Sequence, residues 1–384
     1  MSENNKSAER RKKMNKNITV IPGDGIGPEV TQETLKVLNA VALKFNHNFN
    51  FTHCLMGGIA IEKTGGPLPQ ETIESCLKSD AVLLGAIGLP KYDNDPTLKV
   101  RPEQGLLQLR KGLQLFANIR PVNTYKSLLH LSPLKEKNLT GVDFIIYREL
   151  TGGIYFGEKK LNEEGTEASD LCIYNKDEIT RIANLAFAAA QKRKKKLTLV
   201  DKANVLETSR LWRKTVKEIA ENYSDVKVDY MFVDNAAMQI IINPKQFDVI
   251  LTENMFGDIL SDEASVISGS LGLLPSSSIG EVNALFEPIH GSYPQAAGKD
   301  IANPIGSILS GALMMEHFGL NEEAKAIRDA VDWTLSNGFV TKDIDPLNSY
   351  FTSTIGELVS NYVSNDIPEN SNISNMAMGQ ATII

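Results

Sequence analysis

The chain carries at residues 18–28 the sequence Ile18-Thr19-Val20-Ile21-Pro22-Gly23-Asp24-Gly25-Ile26-Gly27-Pro28. The β-branched start of this segment predicts a strand, and its glycines predict a tight turn before a helix that begins at Pro28-Glu29. The glycines are spaced G-x-G-x-G rather than the G-x-G-x-x-G of Rossmann folds, and no acidic residue closes a second strand about 20 residues further on. The segment therefore predicts a turn near a ligand, but not a Rossmann fold.

Short apolar runs alternate with helical stretches along the rest of the chain. Strands are predicted at residues 81–84, 142–147, 197–200, 228–233 and 247–252, and helices, for example, at 177–191 and 207–220. This alternation is typical of an α/β protein with a largely parallel sheet. Arg148, Lys202 and Asp234 each follow a predicted strand, and open α/β sheets bind ligands at the carboxyl ends of their strands.

The composition is that of an ordinary globular protein. The chain has 384 residues, of which 42% are hydrophobic and 23% charged, so it is long enough for two or three domains and too apolar for disorder. Its net charge of −7 argues against nucleic acid as a main partner, and the basic run 192–196 is interpreted as the end of a helix. No apolar run of about 18 residues, the length that spans a membrane, is present.

Three further features concern location and the chain ends. Cys54, Cys76 and Cys172 form no C-x-x-C pair, which favours a reduced, cytoplasmic location. Residues 1–16 are polar and basic without the apolar core of a secretory signal. They are predicted to be a disordered leader, with Met14 as the true first residue as the alternative. Residues 366–384 are predicted to be a flexible tail.

Asp258 and Asp262 lie four residues apart in a predicted helix, so their side chains are expected on one face. Two like charges at this spacing repel unless a cation lies between them, and Asp234 after the preceding strand could complete an all-oxygen site. Carboxylates without His or Cys favour a hard cation, Mg²⁺ or Mn²⁺. The alternative is a solvated acidic helix face, which the apolar neighbours Phe256 and Ile259 disfavour.

Arg110, Arg120 and Arg148 are candidates for holding a substrate with two carboxylates, since arginine binds carboxylates in a bidentate way. This interpretation requires the three side chains to converge, and taken singly each is more typical of a surface ion pair. Lys202 and Tyr155 are candidate proton carriers, with a solvated or packing role as the alternative.

Five segments of the chain together resemble one enzyme family. They are residues 21–29 (IPGDGIGPE), 148–157 (RELTGGIYFG), 201–205 (DKANV), 254–265 (NMFGDILSDEAS) and 269–276 (GSLGLLPS). Their order and content resemble the β-decarboxylating dehydrogenases that act on isopropylmalate and isocitrate. Residues 101–110 (RPEQGLLQLR) are similar to the isopropylmalate-specific members. Leu106 and Leu107 would offer an apolar wall to an isopropyl group, where isocitrate enzymes need a hydroxyl and a cation.

The resemblance implies a fold and a domain division. The fold would be the two-domain isopropylmalate-dehydrogenase-like α/β fold with a large mixed sheet, not a Rossmann fold. Residues 17–115 and 269–365, from both ends of the chain, would form the cofactor-binding domain. Residues 116–268 would form a central domain for substrate, metal and dimerisation.

The resemblance also implies an activity. It is the NAD-dependent oxidative decarboxylation of 3-isopropylmalate to 4-methyl-2-oxopentanoate in leucine biosynthesis, performed by a homodimer with shared active sites. Carried over from the family, Arg110, Arg120 and Arg148 would hold the substrate carboxylates, and Asp234, Asp258 and Asp262 would hold Mg²⁺ or Mn²⁺. Lys202 would accept the hydroxyl proton and Tyr155 would protonate the enol. Glu103 would orient the nicotinamide. Lys202 and Asp234 would reach the site from the partner subunit.

The family's cofactor segment corresponds to residues 287–304. The residues expected to contact NAD are Glu103, His290, Gly291, Ser292, Gln295, Ala296 and Asn303. NAD-dependent relatives usually carry Asp at position 295, where it repels a 2′-phosphate, and NADP-dependent relatives carry Lys and Tyr at positions 295 and 296. Neither pattern is present, so NAD is expected with weaker exclusion of NADP. A second departure is 341–346, where relatives usually continue with Gly-Gly.

Two alternatives remain at the level of the sequence. A related decarboxylating dehydrogenase would act on isocitrate, homoisocitrate or tartrate, and Leu106 and Leu107 disfavour isocitrate most clearly. A catalytically silent regulatory subunit would bind ligands without turnover. Such subunits usually lose part of the site, whereas Tyr155, Lys202 and the three aspartates are all present here.

Overall fold

The computed structural model describes residues 13–93 and 98–365 of the chain. The strands in this part are β1 (Asn15–Gly23), β2 (Asn48–His53), β3 (Ala81–Ala86), β4 (Ala117–Asn123), β5 (Asp143–Glu149), β6 (Lys159–Leu161), β7 (Ala168–Asp170), β8 (Lys196–Asp201), β9 (Lys227–Phe232), β10 (Val249–Thr252), β11 (Pro275–Ile279) and β12 (Ala284–Pro288). The α-helices are α1 (Gly27–Phe45), α2 (Gly58–Thr64), α3 (Gln70–Lys78), α4 (Pro90–Asp93), α5 (Pro102–Gly112), α6 (Glu136–Leu139), α7 (Lys176–Gln191), α8 (Glu207–Ala220), α9 (Val233–Ile242), α10 (Asn254–Ser265), α11 (Ile305–His317), α12 (Asn321–Ser336) and α13 (Thr352–Ser364). Short 3₁₀ helices cover Lys126–Leu131, Pro244–Gln246, Leu271–Leu273 and Pro294–Ala296.

One large sheet runs through the molecule. Its ten strands have the order β2-β1-β3-β12-β11-β4-β5-β10-β8-β9. β11 is antiparallel to both β12 and β4, and β4 is antiparallel to β5, while the other neighbours are parallel. The sheet is therefore mixed, as predicted. The strands β6 and β7 form a separate antiparallel pair whose residues are all exposed.

The sheet divides evenly between the two predicted chain regions. β2, β1, β3, β12 and β11 come from 17–115 and 269–365, apart from the first residues of β1, and the other five strands come from 116–268. Helix α11 is buried along almost its whole length between the sheet and the helices α1 and α12. A helix that is apolar all round needs this central position. The assignment of the two regions to separate domains remains a prediction.

The structure describes only the last residues of the predicted leader and none of the predicted tail. β1 begins at Asn15 and pairs there with Asn48 of β2, so regular structure starts two residues inside the predicted leader 1–16. Residues 1–12 and the predicted tail 366–384 lie outside the described residues. The basic run is only partly the helix end that was predicted: Lys192 caps α7, but Arg193 pairs with the buried carboxylate of Asp248 at 2.8 Å, and Lys196 already begins β8.

The glycine turn after β1 holds two distant segments together. The buried carboxylate of Asp24 accepts three backbone N–H groups, from Gly58 at 2.8 Å, Ile59 at 3.0 Å and Gly88 at 3.0 Å. Gly25 has φ +59°, and an added Cβ would lie 1.9 Å from the carbonyl oxygen of Ser292. Only glycine fits there. The turn thus packs directly against the predicted cofactor segment.

No helix within residues 13–93 and 98–365 is both long and apolar enough to cross a membrane.

Candidate active site

Arg148 lies near the end of β5 and is held by helix α10. Its Nε and Nη2 atoms donate to Asn254 Oδ1 at 3.1 and 2.9 Å, and its Nη1 atom donates to the carboxylate of Asp258. Gly257 permits this approach, since an added Cβ would lie 2.7 Å from Arg148 Cβ. Burial lowers the pKa of Arg148 to about 10, an effect that Asp258 opposes. The guanidinium still carries its charge at neutral pH, as binding of an anion would require.

Arg120, in the neighbouring strand β4, contacts the next turn of α10. Its Nη1 atom donates to Ser261 Oγ at 2.7 Å and to Asp262 Oδ1 at 2.9 Å, and its Nε atom donates to Asn118 Oδ1 at 2.8 Å. Asp258 and Asp262 therefore project from one face of α10, as their spacing predicts. Each of the two carboxylates faces an arginine of the sheet.

Arg110 reaches the same region from α5. Its Nη2 atom donates to Glu287 Oε1 at 2.8 Å, and its Nε atom is buried without a hydrogen-bond partner among the residues that the structure describes. The charges of Arg110 and Arg120 both lower the pKa of Arg148, so the three side chains lie close enough to interact. This is the convergence that the sequence left open. Three neighbouring guanidinium groups suit a substrate with two carboxylates.

Tyr155 completes this group of residues. Its hydroxyl donates to Asp258 Oδ2 at 3.0 Å, and its ring centroid lies 6.0 Å from the Arg148 guanidinium carbon. Burial raises the pKa of Tyr155, and the carboxylate of Asp258 raises it further. A cavity of about 900 Å³ adjoins these groups, and its lining includes Leu107, Arg110, Arg148, Tyr155 and Asn254. We refer to it as the arginine cavity.

The two leucines predicted as an apolar wall face different spaces. Leu107 is exposed and lines the arginine cavity. Leu106 is half-buried and lines a smaller cavity of about 190 Å³, together with Glu103, Arg120 and His290. This small cavity lies between the arginines and the predicted cofactor segment, which is where Glu103 was expected.

Lys202 and Asp234 form a separate pair. Lys202 directly follows β8, and its Nζ atom donates to Asp234 Oδ1 at 2.8 Å in the first turn of α9. This hydrogen bond is the main cause that lowers the pKa of Asp234. Across residues 13–93 and 98–365, no three His, Cys, Asp or Glu residues group closely enough to hold a metal ion. One chain therefore does not bring Asp234 together with Asp258 and Asp262.

Part of the predicted cofactor segment lines a third cavity of about 500 Å³, the His290 cavity. His290, Gly291 and Asn303 line it, with Lys342 and Asp343 from the segment that departs from the family pattern. His290 Nδ1 lies 3.0 Å from the carbonyl oxygen of Gly291, while Nε2 is buried with no partner in the described part of the chain. Burial lowers the pKa of His290, which keeps the ring neutral at pH 7.

The remaining predicted cofactor residues lie behind or beside the His290 cavity. The carbonyl oxygen of Ser292 accepts from the backbone N–H of Ile26 at 2.8 Å. Ala296 is fully buried against Ile26 and Val30, so its side chain supports the turn rather than facing the cavity. Gln295 is exposed in the short 3₁₀ helix Pro294–Ala296.

Two residues that hold the arginines were given no role from the sequence. Asn254 is separated from Arg148 by 106 positions, and Glu287 is separated from Arg110 by 177 positions. Asn254 is buried and also donates to the carbonyl oxygen of Gly152 at 3.2 Å. Asn254 begins the segment 254–265 and Glu287 begins the segment 287–304, but nothing local shows that either would pair with an arginine so far along the chain.

A family model described as isocitrate/isopropylmalate dehydrogenase matches residues 17–359. The chain belongs to this family. The 3-isopropylmalate dehydrogenase of Bacteroides fragilis (strain YCH46) is 53% identical over 348 residues, which cover 90% of this chain and 98% of that protein. The 3-isopropylmalate dehydrogenase of Bacillus subtilis (strain 168) is 51% identical over 369 residues, which cover 94% of this chain and 100% of that protein.

Solved structures of similar proteins share the fold. The crystal structure of isocitrate dehydrogenase from Methylococcus capsulatus superposes with a TM-score of 0.80 at 34% identity, covering 91% of this chain and 99% of that chain. The apo form of a β-decarboxylating dehydrogenase from Thermococcus kodakarensis superposes with a TM-score of 0.77 at 36% identity, covering 91% of this chain and 96% of that chain. The family resemblance and the non-Rossmann fold predicted from the sequence are both confirmed.

Proposed function

We propose that the chain catalyses the NAD-dependent oxidative decarboxylation of 3-isopropylmalate to 4-methyl-2-oxopentanoate, a step of leucine biosynthesis. The observation that carries the proposal is the convergence of three arginines, because Arg110 lines the arginine cavity together with Arg148 and the small cavity together with Arg120. Relatives that are more than 50% identical carry the name of this activity. The isocitrate, homoisocitrate and tartrate activities and the silent subunit are not favoured by these relatives.

The arginine cavity supports recognition of a malate with an apolar substituent. The guanidinium groups of Arg110, Arg120 and Arg148 would bind the two carboxylates. Arg110 lines both cavities, so an isopropyl group placed where they meet would contact Leu107 from the arginine cavity and Leu106 from the small one. A third carboxylate placed against these leucines would lose hydration without gaining a hydrogen bond, at a cost of about 1–3 kcal/mol or more. The site would therefore select isopropylmalate over isocitrate.

The donors present fit a divalent cation and NAD. Asp258 and Asp262 offer carboxylate oxygens from one helix face, the ligands that Mg²⁺ and Mn²⁺ prefer, and Asp234 of a second copy would add a third. The unpartnered Nε2 of His290 and the amide of Asn303 fit an adenosine group in the His290 cavity. When bound, the metal supplies Lewis-acid stabilisation of negative charge, and NAD accepts the hydride.

Contacts around the nicotinamide and the adenosine ribose complete the proposal for NAD. Glu103 beside the small cavity would contact the nicotinamide, and Gly291 borders both this cavity and the His290 cavity. Gln295 would accept hydrogen bonds from the ribose hydroxyls, but it lacks the negative charge with which an Asp repels a 2′-phosphate. NAD is therefore preferred over NADP, with a smaller margin than an Asp at position 295 would give.

Two side chains would move protons during the reaction. Lys202, with its amine uncharged, would accept the proton of the substrate hydroxyl, and hydride would leave for NAD from the carbon that bears this hydroxyl. The resulting β-keto acid loses CO₂, and Tyr155 would protonate the carbon that held the lost carboxyl group. The raised pKa of Tyr155 keeps its hydroxyl protonated and able to donate at neutral pH. Substrate and NAD thus yield the keto acid, CO₂ and NADH.

We propose a homodimer because one chain carries the two parts of the site in different places. Arg148 and Tyr155 contact Asp258, whereas Lys202 contacts Asp234. Exposed apolar side chains on α9, α10 and the residue after α10 offer a face for a second copy: Met238, Ile241, Ile242, Ile259 and Val266. Exposed apolar surface of this kind is typical of an interface. A twofold arrangement would complete two sites from two chains.

The proposal extends to domain roles and location. Residues 17–115 with 269–365 would bind the cofactor, and residues 116–268 would bind substrate and metal and form the dimer. The thiols of Cys54, Cys76 and Cys172 are all free, which supports a reducing, cytoplasmic location.

Product analysis tests the proposed reaction. Incubation with 3-isopropylmalate, NAD and Mg²⁺ is expected to give 4-methyl-2-oxopentanoate, identified by mass spectrometry, in equal amounts with CO₂ and NADH. A keto acid that retains both carboxyl groups would contradict the decarboxylation step. An Arg148→Gln enzyme serves as the control and is expected to give no product at the same substrate concentration.

A further inference from the structure

Arg213, on helix α8, binds the residue that precedes Lys202. Its Nε and Nη2 atoms donate to the two carboxylate oxygens of Asp201 at 2.8 and 2.7 Å. Asp201 is only 2% exposed at the end of β8, whereas the Arg213 side chain is 26% exposed and closes over the carboxylate from the surface side. The same carboxylate accepts the backbone N–H of Ala203 at 3.1 Å. Arg213 thus holds Asp201 on one side of Lys202, and Asp201 in turn holds Ala203 on the other side.

The backbone of Lys202 is fixed by α8 as well. Its N–H donates to the buried Ser209 Oγ at 3.0 Å, and its carbonyl oxygen accepts from the N–H groups of Val205 and Leu206 at 2.9 and 3.0 Å. With the backbone held in this way, the position of the Lys202 ammonium depends on its side chain and on the charges next to it.

Arg213 also contacts the strand that leads to Asp234. Its guanidinium carbon lies 5.4 Å from the ring centroid of Tyr230 and 5.2 Å from that of Phe232, and Lys202 Nζ lies 5.9 Å from the Phe232 ring. β8 and β9 are paired so that Asp201 lies opposite Phe232. Arg213 thus joins the strand end that carries Lys202 to the strand end that carries Asp234.

We infer that Arg213 is a positioning residue for Lys202, acting by occupying both oxygens of Asp201 so that the Lys202 side chain stays beside Asp234. A buried carboxylate without its arginine would draw the nearest cation, and the Lys202 side chain starts one residue away. Lys202 would then leave the place from which it accepts the substrate proton. The inference rests on the proposed function, because it assumes that Lys202 is the proton acceptor.

The experiment compares Arg213→Gln and Arg213→Lys with the parent enzyme in steady-state kinetics, in water and in heavy water. Arg213→Gln is expected to lower kcat roughly tenfold or more, because misplacement of a reacting group by about 1 Å has effects of this size. The KM for 3-isopropylmalate is expected to stay within about twofold, because the arginines that bind its carboxylates are untouched. The solvent isotope effect on kcat is expected to rise, because proton transfer becomes slower.

Arg213→Lys keeps a positive charge beside Asp201 and so protects folding, but it cannot form the bidentate pair. Its kcat is expected to lie between those of the parent and Arg213→Gln. Lys217→Gln is the matched control, since Lys217 lies on the same helix and its Nζ atom is 5.4 Å from the Tyr230 ring. It is expected to leave kcat unchanged.

Two results would overturn the inference. One is a folded Arg213→Gln enzyme with parental kcat. The other is a lower kcat with an unchanged isotope effect, which indicates only a smaller fraction of folded enzyme. Lys202→Met separates this inference from the proposed function. If Lys202→Met is fully active, the proton-acceptor role itself is wrong, whereas an inactive Lys202→Met beside a fully active Arg213→Gln refutes only the role of Arg213.

Discussion

Two inactive variants, Lys202→Met and Arg148→Gln, are expected to restore activity when their chains are mixed. Arg148 contacts Asp258, and Lys202 contacts Asp234, so each chain holds two separate parts of an active site. In a dimer with shared sites, a hybrid would join the intact Arg148 of one chain to the intact Lys202 of the other. The second site of the hybrid would carry both substitutions.

The expected magnitude follows from this arrangement. With equal amounts of two freely exchanging chains, about half of the dimers are hybrids, and each hybrid has one working site of two. The mixture should therefore reach about a quarter of the activity of the parent enzyme at the same total concentration. Each variant alone should remain near background, because both of its sites lack a required side chain.

The assay mixes the two variants under mild denaturation, allows refolding, and follows NADH absorbance with 3-isopropylmalate, NAD and Mg²⁺. Lys202→Met mixed with Asp234→Asn is the matched control, because these two substitutions affect the same part of the site and no hybrid gains an intact site. Differently tagged chains verify that hybrids form. Verified hybrids without activity, or equal recovery in the control mixture, would refute the shared site.

Further predictions concern three side chains. Lys202→Met is expected to abolish turnover but to bind 3-isopropylmalate in calorimetry, and near-normal turnover would exclude the proton-acceptor role. Gln295→Asp is expected to raise the ratio of kcat/KM for NAD over NADP, and an unchanged ratio would mean that residue 295 does not contact the ribose. Burial raises the pKa of Glu253 from its usual 4.5 to about 7, and the charge of Asp201 adds to this effect. The stability that the protonated carboxyl group contributes is therefore complete below pH 4.5 and is lost as the pH rises through 7. The difference in the free energy of unfolding between Glu253→Gln and the parent, measured in urea, should therefore shift in favour of the variant by up to about 3 kcal/mol between pH 4.5 and pH 8. An equal difference at both pH values would contradict this.

Much of the parallel part of the sheet could be predicted from local patterns, but its antiparallel strands could not. The helix predicted at 207–220 matches α8, whereas β5 extends to Glu149, so Arg148 lies within the strand rather than after it. The strand β11 has the sequence Pro-Ser-Ser-Ser-Ile and is almost fully buried. Serines carry no hydrophobic signal, and their burial is decided by neighbours far along the chain. The mixed character of the sheet was therefore available only from the family resemblance.

The site divides in the same way. The common face of Asp258 and Asp262 follows from helix geometry and was predictable. The convergence of the arginines was not, because it depends on the pairing of β4 with β5, which places Asn118 opposite Arg148. The separation of Asp234 from the other aspartates also depends on strand order, since β9 lies at the edge of the sheet, three strands from β5.

The central claim is tested most directly by the rate of NADH formation, measured side by side with 3-isopropylmalate and with isocitrate. Each substrate is assayed once with Mg²⁺ and once with an excess of chelator. We predict turnover with 3-isopropylmalate alone, its loss with chelator, and its return when Mg²⁺ is restored. Faster turnover with isocitrate, or turnover of 3-isopropylmalate that survives the chelator, would contradict the assignment of the leucines or of the aspartates.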